Sequence, residues 1–506
     1  MSSPSIAFVL NGEPVSVVDD GCSLLEALRD RLRVRSPKDG CSPQGQCGCC
    51  TVWVDGQPRV ACVTPVARVA GRAVTTVEGL PDAAEWGERL CAVGGSQCGF
   101  CTPGIVMRVA AVAAPARDEA AVRRALLAHL CRCTGWNTVV AGVVDAPAGT
   151  SPRDLAAAAR RAAIEGGAPQ TVAPSVALGN GGFAADTAPE DALIAVRAGD
   201  GDWVVASTLT EARRRAGKVQ GRRTTEPLRW PIELPVGEWV RTLQTTWVEP
   251  AYLEPDAAWC VPGGTPVGPL TNGGAFGGKA GSSDVAAAAR RLADEHGAPV
   301  LAMYSREDVV RLGPKRPPIA AGVRADGSGV VHVARTPGVV AAIAAVAPAL
   351  EVHEVDVPGP PTSTVLRGAG WVEALVLLAA AGDWVTAPTG ARARAMVDER
   401  GDVHVEVAAG TVLDETVLRS YCVGAAHMAL GWVRHEGVAV SAEGEVLDLT
   451  IRSFGVLRAV DTPAITVSVL DESGPPVNGS DAVFAAVAAA VWRHDGFPPR
   501  WPTMRA

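Results

Sequence analysis

Thirteen cysteines, eleven of them at or before Cys133, constrain this chain more than any other feature. With 506 residues in all, an even spread would place only about three there. A dense cysteine cluster means either disulfides in an oxidised, exported chain or thiolate ligands in a reduced one. The first residues, MSSPSIAFVLNGEP, show no basic segment followed by an apolar core, so no signal peptide is read and a cytoplasmic protein is expected. The longest apolar stretch, 339–350, is broken by Pro348 and too short to span a bilayer. The cysteines therefore read as ligands. Only Cys260 and Cys422 lie beyond them, so the chain divides into a metal-rich first third and a thiol-poor remainder.

Charge narrows the partners. Lys and Arg total 46 against 54 Asp and Glu, a net charge of -8, which argues against nucleic acid. A hydrophobic content of 48% is enough for real cores.

The first segment reads as strand, turn, strand, helix. Ile6, Phe8 and Leu10 alternate, Asn11-Gly12 is a hairpin turn, and 15–18 return. Ser23 and Glu26 form a capping box before Leu24, Leu25, Leu28 and Leu32. A second hairpin turns at Asp55-Gly56, completing an α+β unit. From Glu85 to Val144 the pattern becomes helical, with starts at Thr102-Pro103 and Asp118. Residues 147–174 are Ala/Gly/Pro-rich and read as a linker with a short helix. The remainder mixes short strands with Ala-rich helices. The run Arg213, Arg214, Arg215 is expected on a solvated helix face, and His129 and His427 are expected to be packed, not ligating.

Two cysteine motifs carry chemistry. The first is Cys41, Cys47, Cys50 and Cys62, spaced C-x5-C-x2-C-x11-C. Plant-type [2Fe–2S] sites use a similar loop with a distant fourth cysteine. Gly40, Gly45 and Gly48 let the backbone wrap a cluster and donate N–H bonds to its sulfurs. Cys49 breaks the spacing and reads as a bystander. The alternative is a tetrahedral zinc knuckle. The second motif pairs Gln97-Cys98-Gly99-Phe100-Cys101 with Cys131-Arg132-Cys133, four thiolates that suit iron–sulfur or zinc.

Together the motifs resemble the two-cluster iron–sulfur subunit of the xanthine dehydrogenase, or molybdenum hydroxylase, family, over residues 5–146. The resemblance implies a β-grasp ferredoxin-like domain over 1–80, with one [2Fe–2S] cluster on Cys41, Cys47, Cys50 and Cys62. It implies a four-helix domain over 81–146, with a second cluster on Cys98, Cys101, Cys131 and Cys133. Gln97 and Cys133 would approach the pterin of a molybdenum cofactor.

The remainder resembles a shortened large subunit of the same family. Residues 175–235 look like a reduced hammerhead segment, and 236–506 like a shortened mixed α/β molybdopterin-binding domain. Gly273 to Lys279 is similar to the family's glycine-rich pocket loop, with Gly274, Phe276 and Gly277 toward the cofactor. Arg367, in Leu366-Arg367-Gly368, follows in family order. Between Trp371 and Arg394 no pterin-binding G-x-x-x-G-Q-G segment occurs. Ser480 stands where the family carries its glutamate base, and Asp481 is offset by one residue on an expected solvated helix start. Ser480 is no general base at neutral pH without an activating partner.

The resemblance implies an electron-transfer subunit of a molybdenum hydroxylase-type oxidoreductase, passing electrons from a molybdenum site to a flavin. No FAD domain separates the two halves, so an FAD-binding subunit and a full molybdenum subunit would be partners. Two other readings stand beside it: a self-contained hydroxylase with a divergent site, and a zinc-stabilised assembly module. The family's substrates include N-heterocycles, aldehydes and carbon monoxide.

Overall fold

The computed structural model describes residues 5–145, 153–199, 201–218, 226–268, 274–281, 283–379 and 383–505. Its first unit is a five-stranded sheet in the order Glu13–Val18, Ser5–Leu10, Ala73–Thr75, Thr51–Val54, Gln57–Val60. Phe8 and Leu10 turn inward from the alternating strand, as their period requires. Ser23 accepts a hydrogen bond from the Glu26 N–H, and Glu26 accepts one from the Ser23 N–H at 2.9 Å. That cap starts the Leu24–Glu26 turn and buries Leu24, Leu25 and Leu28. The chain then widens into a π-helical stretch, Ala27–Arg31, which carries Arg29 inward to the carbonyls of Arg35 and Pro37 and to Asp186. The cysteine loop lies between this turn and the Thr51–Val54 strand.

Four helices follow: Ala83–Ala92, Thr102–Ala110, Glu119–Ala125 and Asn137–Val144. Asp118 caps the third through the Ala121 N–H. Three further sheets, each of four strands, lie among the described residues beyond 145. Val300–Met303 pairs with Leu193–Arg197 and Ala257–Cys260 in one of them. Two buried helices, Glu415–Arg434 and Ser480–His494, pack on each other within a large apolar core. The molecule is thus mixed α+β. Among the described residues no helix is long and apolar enough to cross a membrane.

Three expectations change. The stretch 147–174, read as a linker, holds from its described residues the helix Leu155–Gly166, which lies in the core. Its Arg161 side chain is fully buried and donates to the carbonyls of Val412, Val477 and Thr411 at 2.8–3.0 Å. Glu165, paired with Arg161 at 3.0 Å, accepts from the Gly479 and Ser480 N–H groups and so caps the Ser480–His494 helix. Ser480 is consequently 0% exposed, whereas the Asp481 side chain beside it keeps 26% exposure and pairs with Arg367. Arg213 leaves the solvated face assigned to it and reaches Asp39 and the Ser42 hydroxyl at 2.6 and 2.7 Å.

Candidate metal centres

The first thiol group runs in a row, Cys47, Cys41, Cys62, Cys50. Cys41, Cys47, Cys50 and Cys62 are all buried. The Cys47 and Cys62 thiols donate toward Cys41 and hold it well below the usual thiol range. The donors are pushed up in return, Cys62 by Cys41 and then by Cys50. The Gln44 N–H donates to the Cys41 sulfur at 3.1 Å, and the Cys62 N–H to the Cys50 sulfur at 3.4 Å. Such N–H groups are what a buried thiolate needs in place of water. Gly48 sits between groups: its φ is +77°, and a Cβ there would meet the His129 ring at 2.5 Å.

The second group joins two helix ends. Cys98 and Cys101 precede the Thr102–Ala110 helix, whose N-terminus favours negative charge. The Cys133 and Cys98 sulfurs lie 3.4 Å apart. Cys131 is held well below the usual thiol range by the thiols of Cys101 and Cys133, with the Thr134 hydroxyl at 3.1 Å. Among the described residues no three His, Cys, Asp or Glu side chains form a group arranged to hold a metal ion. The eight thiols touch pairwise, in two short rows. A two-iron cluster shares its four thiolates pairwise between two irons, so the donor set fits that group chemically.

The two groups are close neighbours. Leu130 N–H donates to the Cys47 carbonyl at 3.0 Å, and a Cβ on Gly104 would run into the Gly48 carbonyl. The Thr51 hydroxyl donates to the Gly48 carbonyl, so the nearby His129 Nε2–H donates to Thr51 Oγ1 and to the Gly104 carbonyl, each at 3.2 Å. Burial, helped by Arg108, pushes His129 down to about 3, so the imidazole between the groups is neutral at physiological pH.

The residues expected around a pterin gather at Cys133. Gln97 donates to the Cys133 carbonyl at 3.0 Å and to the Ser420 hydroxyl at 2.9 Å. A Cβ on Gly274 would lie 2.9 Å from the Cys133 sulfur. Gly273 lies outside the described residues. The Arg367 guanidinium stacks 3.7 Å over the Phe276 ring and donates to Ser480 and Asp481 at 2.9 Å. Gly277 abuts the Val365 carbonyl. Phe276 and Arg367 both hold positive φ, +46° and +43°, a strain that marks built sites.

The cavity beside Phe276 and Arg367 holds only about 30 Å³. Its walls are tied by buried ion pairs, Arg132 with Glu436 at 2.6 and 2.8 Å and Arg316 with Glu373 at 2.6 and 2.9 Å. That volume takes a water molecule or two. A pterin cofactor does not fit the described walls.

Several residues around the centres escaped the sequence reading. Arg306 donates to the Gly40 carbonyl at 3.2 Å and Arg452 to the Gln46 carbonyl at 2.9 Å. Gln44 donates to the Leu449 carbonyl at 2.8 Å. Arg132, inside the Cys131–Cys133 motif, and Gln44, inside the Cys41–Cys47 loop, carried a local signal.

Comparison with known proteins agrees with this geometry. The [2Fe-2S] binding domain family matches residues 76–144. Xanthine dehydrogenase of Drosophila subobscura is 41% identical over 155 residues, 27% of this chain and 12% of that protein. The isoquinoline 1-oxidoreductase subunit alpha of Brevundimonas diminuta is 40% identical over 140 residues, 26% of this chain and 91% of that subunit. The solved aldehyde oxidoreductase of Desulfovibrio desulfuricans ATCC 27774 superposes with a TM-score of 0.69, covering 96% of this chain and 97% of that one. At 15% identity that likeness shows the fold. The chain belongs to the molybdenum hydroxylase family of oxidoreductases. It covers about an eighth of the full-length relatives it matches first, 12% of their length.

Proposed function

We propose that this chain is the iron–sulfur electron carrier of a molybdenum hydroxylase-type oxidoreductase. Cys41, Cys47, Cys50 and Cys62 hold one [2Fe–2S] cluster, and Cys98, Cys101, Cys131 and Cys133 the other. Electrons come from a molybdenum site on a partner subunit and leave to a flavin on an FAD-binding subunit. The observation that carries the reading is the pair of buried four-thiol groups joined by the contacts of Leu130 with Cys47 and of Gly104 with Gly48. Bound there, the clusters would supply one-electron storage. The protein's own part is to exclude water, to aim the Gln44 and Cys62 N–H groups at sulfur, and to keep the two groups close with no ionised side chain at His129.

One observation favours a second reading, a self-contained hydroxylase: the Gly274–Phe276 loop lies on Cys133, beside Arg367. The small cavity, the missing pterin segment and Ser480 weigh against it. Metal and pterin analysis of the purified full chain decides between them. About four irons per chain, two distinct [2Fe–2S] spectra and no molybdenum are expected. Stoichiometric molybdenum with pterin would establish the second reading, and zinc in place of iron would overturn both.

A further inference from the structure

The loop that holds Cys41 and Cys47 is gripped by guanidinium groups from the later chain. Arg213 is one of them, and Asp39 neutralises it at 2.6 Å. Two others have no acid beside them. Arg306 donates to the Gly40 carbonyl at 3.2 Å and to the Tyr252 and Leu253 carbonyls at 2.8 Å each. Arg452 donates to the Gln46 carbonyl at 2.9 Å and to the Leu127 carbonyl at 3.4 Å. Among the described residues, every hydrogen-bond partner of these two side chains is a backbone carbonyl. Gly40 and Gln46 each stand one residue before a thiol of the first group, Cys41 and Cys47.

Cations placed in this way call for a counter-charge. Arg306 is 0% exposed, and Arg452 is half-buried. A guanidinium stays protonated in proteins, and it is rarely buried unless an anion compensates it. Asp256 acts on Arg306 through space, but its buried carboxyl is offset more by Lys279 and by the Tyr252 hydroxyl, which donates to it at 2.9 Å. Burial and then Arg458 lower Arg452, while the thiols of Cys47 and Cys41 raise it, as anions do. The second thiol group differs: Arg132, the guanidinium inside its motif, is already paired with Glu436 at 2.6 and 2.8 Å.

We infer that Arg306 and Arg452 are the counter-charges of the cluster on Cys41, Cys47, Cys50 and Cys62, and that they set how readily it takes up an electron. Two ferric ions, two sulfides and four thiolates sum to a dianion. One added electron makes a trianion, with no bond or proton moved, and net charge is one of the properties that set the potential of such a group. A fixed cation favours the more negative state. A Cβ on Gly40 would lie 3.2 Å from the Leu253 carbonyl oxygen that binds Arg306, and 3.1 Å from the Cys47 sulfur. Across about 9 Å, the most those contacts allow, and at an effective dielectric constant of ~20, one unit charge moves a one-electron equilibrium on the order of tenfold. The inference rests on the electron-carrier reading, and it gives the later part of the chain a role in that reading.

The test is a redox titration of the iron-loaded full chain, with each cluster followed by its own electron paramagnetic resonance signal. Arg306→Gln keeps a donor for the Gly40 carbonyl and removes the charge. At a fixed potential its first cluster should show a reduced-to-oxidised ratio about tenfold lower, a midpoint about 59 mV lower for one electron. Arg452→Gln should shift the ratio in the same direction by less, because water and salt screen a half-buried charge. Arg306→Lys restores the charge and should recover most of the fall. The second cluster should keep its midpoint in all three variants. Iron content reads whether each variant is loaded. Should Arg306→Gln fail to hold the first cluster, Arg452→Gln decides alone, and an unshifted midpoint there overturns the inference. So does an unshifted first midpoint in loaded Arg306→Gln, an equal fall in Arg306→Lys, or an equal shift of both clusters; each leaves the carrier reading standing. A colourless, iron-free unmodified chain overturns the carrier reading and the counter-charges with it.

Discussion

Cys49 stands between Cys47 and Cys50, fully buried, and burial pushes its thiol up. Its sulfur faces the Cys47 carbonyl at a long 3.9 Å, and no backbone N–H is recorded on it, unlike Cys41 and Cys50. Cys49→Ala should therefore keep about four irons and both [2Fe–2S] spectra, whereas Cys50→Ala should lose the first cluster alone. Iron analysis with electron paramagnetic resonance reads both, and loss of the first signal in Cys49→Ala would make Cys49 the ligand. His427 supports a different kind of test. It is 0% exposed, donates from Nε2 to the Leu457 carbonyl at 3.3 Å, and burial with Arg132 nearby lowers it to about 4. The unfolded chain takes up this proton near pH 6.5 and the folded one only near 4. Stability is thus complete above about pH 6.5 and falls toward pH 4, by up to about 1.4 kcal/mol per pH unit. His427→Gln keeps a donor and removes the titration, so its urea midpoint should drop less between pH 7 and 5 than that of the unchanged chain. Parallel drops would refute the assignment.

At the scale of elements, the helix Leu155–Gly166 exchanges a buried charge pair with the core. Its Ala-rich sequence reads equally well as a tethered surface helix. Nothing local tells that Arg161 finds four carbonyls and Glu165 two N–H groups more than 200 residues away, because those partners exist only once the chain has folded. Arg213 was illegible for the same reason: its partners, Asp39 and Ser42, lie across a domain boundary in the sequence. By contrast the Ser23–Glu26 box and the Asp118 cap were legible, since each is closed within three residues. The cysteine spacing was legible because a ligand set is a local pattern before it is a fold. Glu165→Gln strands the Arg161 charge in the core and uncaps the Ser480–His494 helix. It should cost about 3–5 kcal/mol. The double change Arg161→Met with Glu165→Leu removes both charges and should cost less. Denaturant melts of the two variants check the order, and a single variant no worse than the double would mean that the pair is not buried in solution.

At the scale of the molecule, the thiol-rich third is not an appendage. Arg132 reaches Glu436 from inside the second cysteine motif, and Gln97 reaches Ser420 from its edge. The Trp136 indole donates to the Leu457 carbonyl at 3.2 Å, and Arg123 to that of Ala459 at 2.7 Å. Arg452 and the Gln44–Leu449 bond tie the first cysteine loop to the same later region, and Arg306 ties it to the middle of the chain. Core side chains of 5–145 and of 438–459 form one apolar cluster, so separating the parts would expose a core. Interfaces of that kind hold without a covalent link. A protease site placed between residues 147 and 151 therefore cuts the chain without parting it: the two pieces should elute together from a sizing column, with iron content unchanged, and separate only in denaturant. Glu436→Gln in the cut protein leaves Arg132 buried without its counter-charge, and should release a measurable fraction of the smaller piece. Free separation of the unaltered pieces in buffer would show that the later residues do not seal the second cluster.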